Sequence, residues 1–311
     1  MPDHHPQVSV ALPVYNGEPF LREAIDSVLA QTFEDFELII TDNASTDATP
    51  EICLAYAEAD PRVRYYRNLH NIGAAGNYNL TVELAHGQYL RWLAHDDMFA
   101  STLLERSVAV LDTHPEVVLV YPRTMIIDQY GKVLRYDDED LNLRIPNIHQ
   151  RYQQFHRFAR GEINAIFGLL RLSALRETPL IGAFSSSDMI LLGEMALRGQ
   201  FYEVPEYLFL RRDHVHTSVN ANWAYSQRAV WFDPANAGRL QMTRWRWLQE
   251  FWQSIERVPM ERSERLHCYF QLARWGIHPR NAAGLAMDVL QAAMWPFAKD
   301  LDMRYRLFGF H

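Results

Sequence analysis

The sequence predicts an α/β fold: a mostly parallel sheet with helices on both faces, followed by a helical C-terminal region. Three observations carry this reading. Short apolar runs alternate with helical segments from Val8 to Tyr121, at the spacing of βαβ units. One such run, Tyr89 to Leu93, is followed by His95, Asp96 and Asp97, so a buried strand ends in paired negative charge. From about Asn220 onward helical patterns dominate, and seven of the eight tryptophans lie there.

The elements follow in order. Val8 to Tyr15 reads as a buried strand broken by Pro13, and Asn16-Gly17 makes a turn. Phe20, Leu21, Ala24, Ile25, Val28 and Leu29 recur at helical spacing, which predicts an amphipathic helix over Glu18 to Ala30. Phe36 to Thr41 is a second strand, ending in the polar loop Asp42 to Asp47. A helix follows over Ala48 to Ala59, then a third strand over Val63 to Tyr66. Asn71 to Asn77 reads as a Gly- and Asn-rich loop before a helix to Ala85. Gln88 to Leu93 is the acid-tipped strand, Ser101 to Thr113 a helix and Val117 to Tyr121 a further strand. Beyond it, Met125 to Ile127 and Val133 to Tyr136 flank Gly131 as a hairpin, and Ile148 to Ala159 is helical. A helix over Met189 to Arg198 stops at Gly199, and Val204 to Leu210 is a short strand leading into the loop Arg211 to His216.

Right-handed crossovers between parallel strands place the loops after Tyr15, Thr41 and Leu93 along one edge of the sheet. Ligands of open α/β sheets bind at that carboxyl edge, so Asp42 and Asp96 are expected to face one cleft. Adjacent carboxylates repel unless positive charge sits beside them. A divalent cation, Mg²⁺ or Mn²⁺, that also holds a substrate phosphate would satisfy Asp96 and Asp97. The alternative is that both acids simply cap the helix from Ser101.

Composition narrows the possibilities. The chain has 311 residues, 48% hydrophobic and 22% charged, which suits one large domain or a domain with an appendage. A formal net charge of −8 offers no basic face and argues against nucleic acid as a partner. Cys53 and Cys268 lie far apart and form no framework, consistent with a reducing compartment. Met1 to Gln7 lacks the regions of a signal peptide. The most apolar stretch, Ala282 to Phe297, is short for a bilayer and carries Asp288. These features predict a cytoplasmic protein. No G-x-G-x-x-G follows the first strand, and no Walker lysine motif, G-x-S-x-G elbow or H-E-x-x-H helix is present.

Pro13-Val14-Tyr15-Asn16, the run Gln31 to Ile40 that opens Gln-Thr-Phe, and Asp42-Asn43-Ala44-Ser45-Thr46-Asp47 together resemble the opening of family 2 inverting glycosyltransferases. Leu93 to Asp97 looks like that family's Asp-x-Asp region, with Ala94 where the first acid is often found. The resemblance spans about Val8 to Val219 and implies a GT-A fold. It further implies a catalytic domain over 1–219, a nucleotide-binding half (1–122) and an acceptor half (123–219), leaving 220–311 as a helical appendage.

The same resemblance implies roles. Pro13, Tyr15, Asn16 and Asp42 would cradle the base of a nucleotide-sugar donor, with UDP favoured. A carboxylate there can accept the imide N–H of uracil or thymine. Asn71 and Asn77 would approach ribose or phosphate, and His95 would lie beside the ribose. Asp96 would bind the metal, with His214 completing its shell, and Arg211 and Arg212 would pair with the diphosphate. Asp97 would support the site or cap a helix. Inversion needs a base opposite the leaving group. Asp188, opening a helix after Ser187, matches that place and is the expected catalytic base. The acceptor would be a glycan or a lipid-linked glycan. Two other classes compete with this reading: a degenerate binding module on the same fold, and a sugar-phosphate nucleotidyltransferase, whose Gly-rich basic loop is absent.

For the C-terminal helices the sequence leaves two readings open. Arg244-Trp245-Arg246-Trp247 and Phe251-Trp252 suit an amphipathic helix at the inner face of a membrane. The favoured reading is that these aromatics pack on the catalytic domain or on a second copy in a homo-oligomer.

Overall fold

The structure, a computed structural model, describes residues 5–138, 141, 143–158, 163–215, 217 and 225–297. His216, the expected boundary at Asn220, Trp223 and the end of the C-terminal region from 298 lie outside the described residues.

A single nine-stranded sheet organises the chain. Strands β1 (Val8–Val14), β2 (Phe36–Asp42), β3 (Val63–Arg67) and β4 (Tyr89–Trp92) run parallel in the order β3-β2-β1-β4. Helices α1 (Leu21–Leu29), α2 (Thr49–Ala59) and α3 (Gly73–Leu84) make the crossovers. After β4 come the two-residue β5 (Met98–Phe99), α4 (Leu103–Thr113), β6 (Val117–Ile127) and β7 (Val133–Asp137). Then follow α5 (Ile148–Phe158), β8 (Leu169–Arg171), α6 (Leu172–Arg176), α7 (Ser187–Arg198) and β9 (Gln200–Arg212). The sheet continues β4-β8-β6-β9-β5, with β8 antiparallel to both neighbours and β9 parallel to β6.

β1 and β2 are buried along their whole length, because helices cover both faces and both faces must be apolar. Val8, Val10, Leu12 and Val14 pack with Leu38 and Ile40 against α1 and α4 on one side. Ala11, Ile39, Leu90 and Trp92 face α3, α5 and α7 on the other. Each fully buried aliphatic chain here contributes roughly 1.5–3 kcal/mol relative to exposure. The second core extends into helices α8 (Tyr225–Phe232), α9 (Thr243–Arg257), α10 (Arg262–Ile277) and α11 (Pro279–Met294). Phe251, Ile255, Cys268 and Leu272 share it with Tyr152, Phe155, Leu192 and Met195. No helix among the described residues is long and apolar enough to cross a membrane.

Four sequence expectations change. The acids Asp96 and Asp97 do not cap a helix: β5 intervenes, and α4 begins at Leu103 with no side-chain cap. The strand expected at Val117–Tyr121 and the first arm of the hairpin are one eleven-residue strand, β6, whose register with β9 shifts at Pro122. β9 is thirteen residues long, so Arg211 and Arg212 lie on a strand rather than in a loop. Gly73 to Asn77, expected as loop, forms the opening turns of α3. The Asn71 side chain accepts the Gly73 amide hydrogen bond at 2.8 Å and starts that helix.

Candidate active site

The C-terminal ends of β1, β2 and β4 meet at one edge, with Val14 opposite Asp42 and Ala11 opposite Trp92 in register. Parallel pairing therefore brings Tyr15, Asp42 and the His95–Asp97 segment to the same side. The loops after β1 and β2 are knitted together. Asn16, at φ 52°, donates its amide to Ser45 Oγ at 2.9 Å and accepts from the Thr46 amide at 2.9 Å. The Gly17 amide donates to Thr49 Oγ1 at 2.9 Å. A side chain at Gly17 would meet Val14 Cγ2 at 2.5 Å and His95 Cδ2 at 2.9 Å, so the glycine lets the His95 ring lie against this turn.

Pro13 is buried in β1, whereas Tyr15 keeps 46% of its surface, so an aromatic face is presented at the rim. Asp42 is fully buried. It accepts from the Ser45 amide at 2.8 Å and from the Tyr65 hydroxyl at 2.8 Å, and Arg67 Nε lies 3.4 Å away. It thus forms the turn after β2 as well as facing the edge. Asn71 bonds Asn43 at 3.0 Å and remains at the surface. Asn77 is buried: its amide donates to Thr41 O at 2.8 Å and accepts from Asn68 at 3.1 Å. That engagement makes Asn77 a clamp between α3 and the end of β2.

The acid-tipped strand meets the end of β9. His214 Nε2 lies 2.9 Å from Asp96 Oδ2, and the His214 ring packs on Phe20 at 4.8 Å. The Arg212 amide donates to Asp97 Oδ1 at 2.8 Å. The Arg212 guanidinium is buried, donating to the carbonyls of Asp96 and Gln129 and pairing with Glu23 at 2.6 Å. Its position is that of a strut that locks the acids to β9. Both arginines line the cavity, but Arg211 is only partly buried and donates to Asn164 Oδ1 at 3.1 Å.

These environments separate the two acids. Burial opposes ionisation of Asp96, but the His214 hydrogen bond and the charges of His95 and His214 hold its carboxyl below the usual range. Burial, and then the neighbouring Asp96 charge, push the Asp97 carboxyl well above it. Beneath them on β4, Arg91 is fully buried between the rings of Phe99 and Phe209, at 4.7 and 5.5 Å. Its nitrogens have no hydrogen-bond partner among the described residues. Burial lowers the guanidinium to about 9, opposed by the Asp97 charge.

Asp96, Asp97, Asp188 and Arg211 line one cavity of about 840 Å³. Asp188 stands in the first turn of α7, where the helix N-terminus favours an acid, after Ser186 in a left-handed conformation. The sequence did not point to Tyr78, which sits on α3 close enough to Asp96, Asp97 and Asp188 that burial and their charges raise its phenol. Trp231, Trp247, Phe251 and Trp275 give the same cavity an aromatic lining. Their clustering was visible in the sequence; their destination was not.

Among the described residues, no three His, Cys, Asp or Glu side chains are grouped as a metal site would require. Asp96 and His214 form a pair. An oxygen and an imidazole nitrogen suit Mn²⁺ or Mg²⁺ where donor phosphates complete the coordination. They do not suit a cation held by protein alone.

Glycosyl transferase family 2, as a sequence profile, matches residues 9–177, more than half of the chain. The chain belongs to glycosyl transferase family 2. An uncharacterized glycosyltransferase of Rickettsia typhi is 35% identical over 155 residues, covering 47% of this chain and 48% of that one. The putative glycosyltransferase EpsE of Bacillus subtilis is 35% identical over 127 residues, covering 40% and 46%. The chain thus spans less than half the length of these relatives. Among solved structures, S. aureus TarS 1–349 in complex with UDP superposes with a TM-score of 0.61 at 15% identity, over 96% of this chain and 89% of that one. The mannosyltransferase PcManGT of Pyrobaculum calidifontis, in complex with GDP-Man and Mn²⁺, gives 0.54 at 19% identity, over 98% and 79%. These likenesses establish the GT-A fold of this family member.

Proposed function

We propose that the chain is an inverting glycosyltransferase that moves a sugar from a nucleotide-diphosphate donor, UDP favoured, to a hydroxyl acceptor in polysaccharide or glycolipid synthesis. The observation that carries the reading is the meeting of Asp96, which His214 engages at 2.9 Å, with Arg211 and Asp188 in one cavity.

In this reading 1–122 bind the donor, 123–219 supply the base and phosphate contact, and 220–311 wall the acceptor side. The exposed Tyr15 ring stacks on the base, and the Asn16–Ser45 hydrogen bond fixes the loop that presents it. Asp42 waits behind that loop for the imide N–H, which it can accept alongside its turn-forming bonds. Asp96 and His214 would hold a divalent cation together with the donor phosphates, and such a cation would supply charge neutralisation at the departing diphosphate. Arg211 pairs with the same diphosphate. Asp188 takes the proton from the acceptor hydroxyl as its oxygen attacks the anomeric carbon, and the bond to the diphosphate breaks on the opposite face. Tyr78, protonated throughout, orients Asp188 or the sugar between the acids. The protein works in the cytoplasm, with lipid-linked glycans as acceptors bringing it to the membrane face.

A second reading is a degenerate module that binds nucleotide without transfer. Ala94 in place of an acid and the two-member metal pair favour it. Calorimetry with UDP, dTDP and GDP, with and without Mn²⁺, followed by NMR of the anomeric product, tests both. Metal-dependent binding of one nucleotide, transfer with inversion, and loss of transfer in Asp188→Asn are expected. Retention of the donor's anomeric configuration would sink the single-displacement mechanism. Binding with no turnover of any kind would favour the module.

A further inference from the structure

Charge divides the wall of the cavity. Among its described lining residues the carboxylates are Asp96, Asp97 and Asp188, all on the sheet edge or α7. Beside those acids stand Arg211 and Arg212 on β9, whereas the lining residues from α5 and α8 to α11 include Arg157, Arg228, Arg244, Arg274 and Arg280 and no acid. These five side chains come from five different helices, α5 and α8 to α11, so no single amphipathic face accounts for them. They face one space in a chain of formal net charge −8. Among the described residues, Arg157, Arg274 and Arg280 pair with no carboxylate. Between them stand Trp231, Trp247 and Trp275, whose flat apolar faces suit the C–H faces of sugar rings. Trp247 is held in place: its indole N–H donates to Ser185 O at 2.9 Å, just before α7, and Arg244 stacks on its ring at 4.3 Å.

We propose that the acceptor is an anionic glycan, carrying phosphate or carboxylate groups beside the hydroxyl that is glycosylated; this rests on the transferase reading above. Guanidinium forks match either oxyanion, and a wall of one charge sign concentrates ligands of the other. The indoles hold the sugar units, the arginines hold the anions, and the acids on α7 and β4 remain apart to act on the hydroxyl and the donor.

Three probes test this on the full chain by calorimetry, after UDP binding has been measured on the same sample. They are tetragalacturonate, maltotetraose bearing 6-phosphates, and neutral maltotetraose. At least one anionic probe should bind about tenfold or more tighter than the neutral one, with the advantage shrinking as salt rises. The preference between carboxylate and phosphate identifies the anion. Arg274→Gln with Arg280→Gln should remove most of that advantage without moving the melting temperature, and Lys at both positions should restore it. Nucleotide binding with equal affinity for all three probes, or with no affinity for either anionic probe, overturns the acceptor assignment alone. Absence of nucleotide binding overturns the transferase reading itself.

Discussion

His214 Nε2 and Asp96 Oδ2 are 2.9 Å apart, although 118 positions separate them in the chain. The contact joins the end of β4 to the segment after β9, and it keeps Asp96 ionised against the cost of its burial. Asp96→Asn is expected to lower transfer by about 10²–10³, the scale of losing one preorganised group at developing charge. Mn²⁺-dependent nucleotide binding should weaken with it. The check is kcat/KM together with calorimetry at several Mn²⁺ concentrations; full turnover in the variant would place the metal elsewhere.

Asp188 meets a different test. As a base it is needed for turnover and not for holding the donor, so Asp188→Asn should reduce kcat by about 10²–10⁴ while nucleotide affinity stays as it was. A parallel loss of donor binding would instead assign Asp188 to the donor site.

Arg211 and Arg212 are neighbours with opposite expectations. Removing the Arg212 guanidinium returns the half-exposed Glu23 to water but leaves the carbonyls of Asp96 and Gln129 without their buried donor. Arg212→Met should cost about 1–3 kcal/mol in urea unfolding. Arg211→Ala should leave the unfolding midpoint in place and raise the KM for donor. Equal stability losses in both would contradict the division of labour between them.

A histidine on the cavity wall sets an acid limit. His156 is boxed by the rings of Tyr152, Phe251 and Trp275, and its Nε2 has no hydrogen-bond partner among the described residues. Burial pushes the imidazole down to about 3. The unfolded chain binds a proton near pH 6.5 that the folded chain refuses, so stability is complete above that pH and falls as pH drops toward 3. By pH 5 the loss is about 2 kcal/mol at most. Chemical unfolding at pH 7.5 and pH 5 should show it, and His156→Phe should flatten the difference.

The first half of the sheet was legible because its signals are local. Parallel strands covered on both faces must be continuous apolar runs, and β1, β2 and β4 are such runs with polar residues where they emerge. That pattern alone puts Tyr15, Asp42 and Asp96 on one edge. What escaped depends on distant contacts. β8 is three residues long and enters antiparallel between β4 and β6, where Leu170 pairs with Leu90 and Leu119 and Leu169 with Arg91 and Val120. Arg212 resembled a phosphate ligand because its neighbours on β6, β5 and α1 are remote in sequence. The Trp-rich helices carried a clear period, yet nothing in them named the cavity they close. Arg91 gave no signal at all: an arginine in an apolar strand reads as an exception until the two phenylalanines around it are seen.

The order in which the chain is made matters for the same cavity. β1, β2 and β4, with Asp42 and Asp96, leave the ribosome first; Asp188 follows, and Trp247 and Trp275 come last. A nascent chain therefore holds the edge of β1, β2 and β4 long before it holds the helices that wall the cavity. Until α9 and α10 pack on α7 and α5, that edge stands open to water.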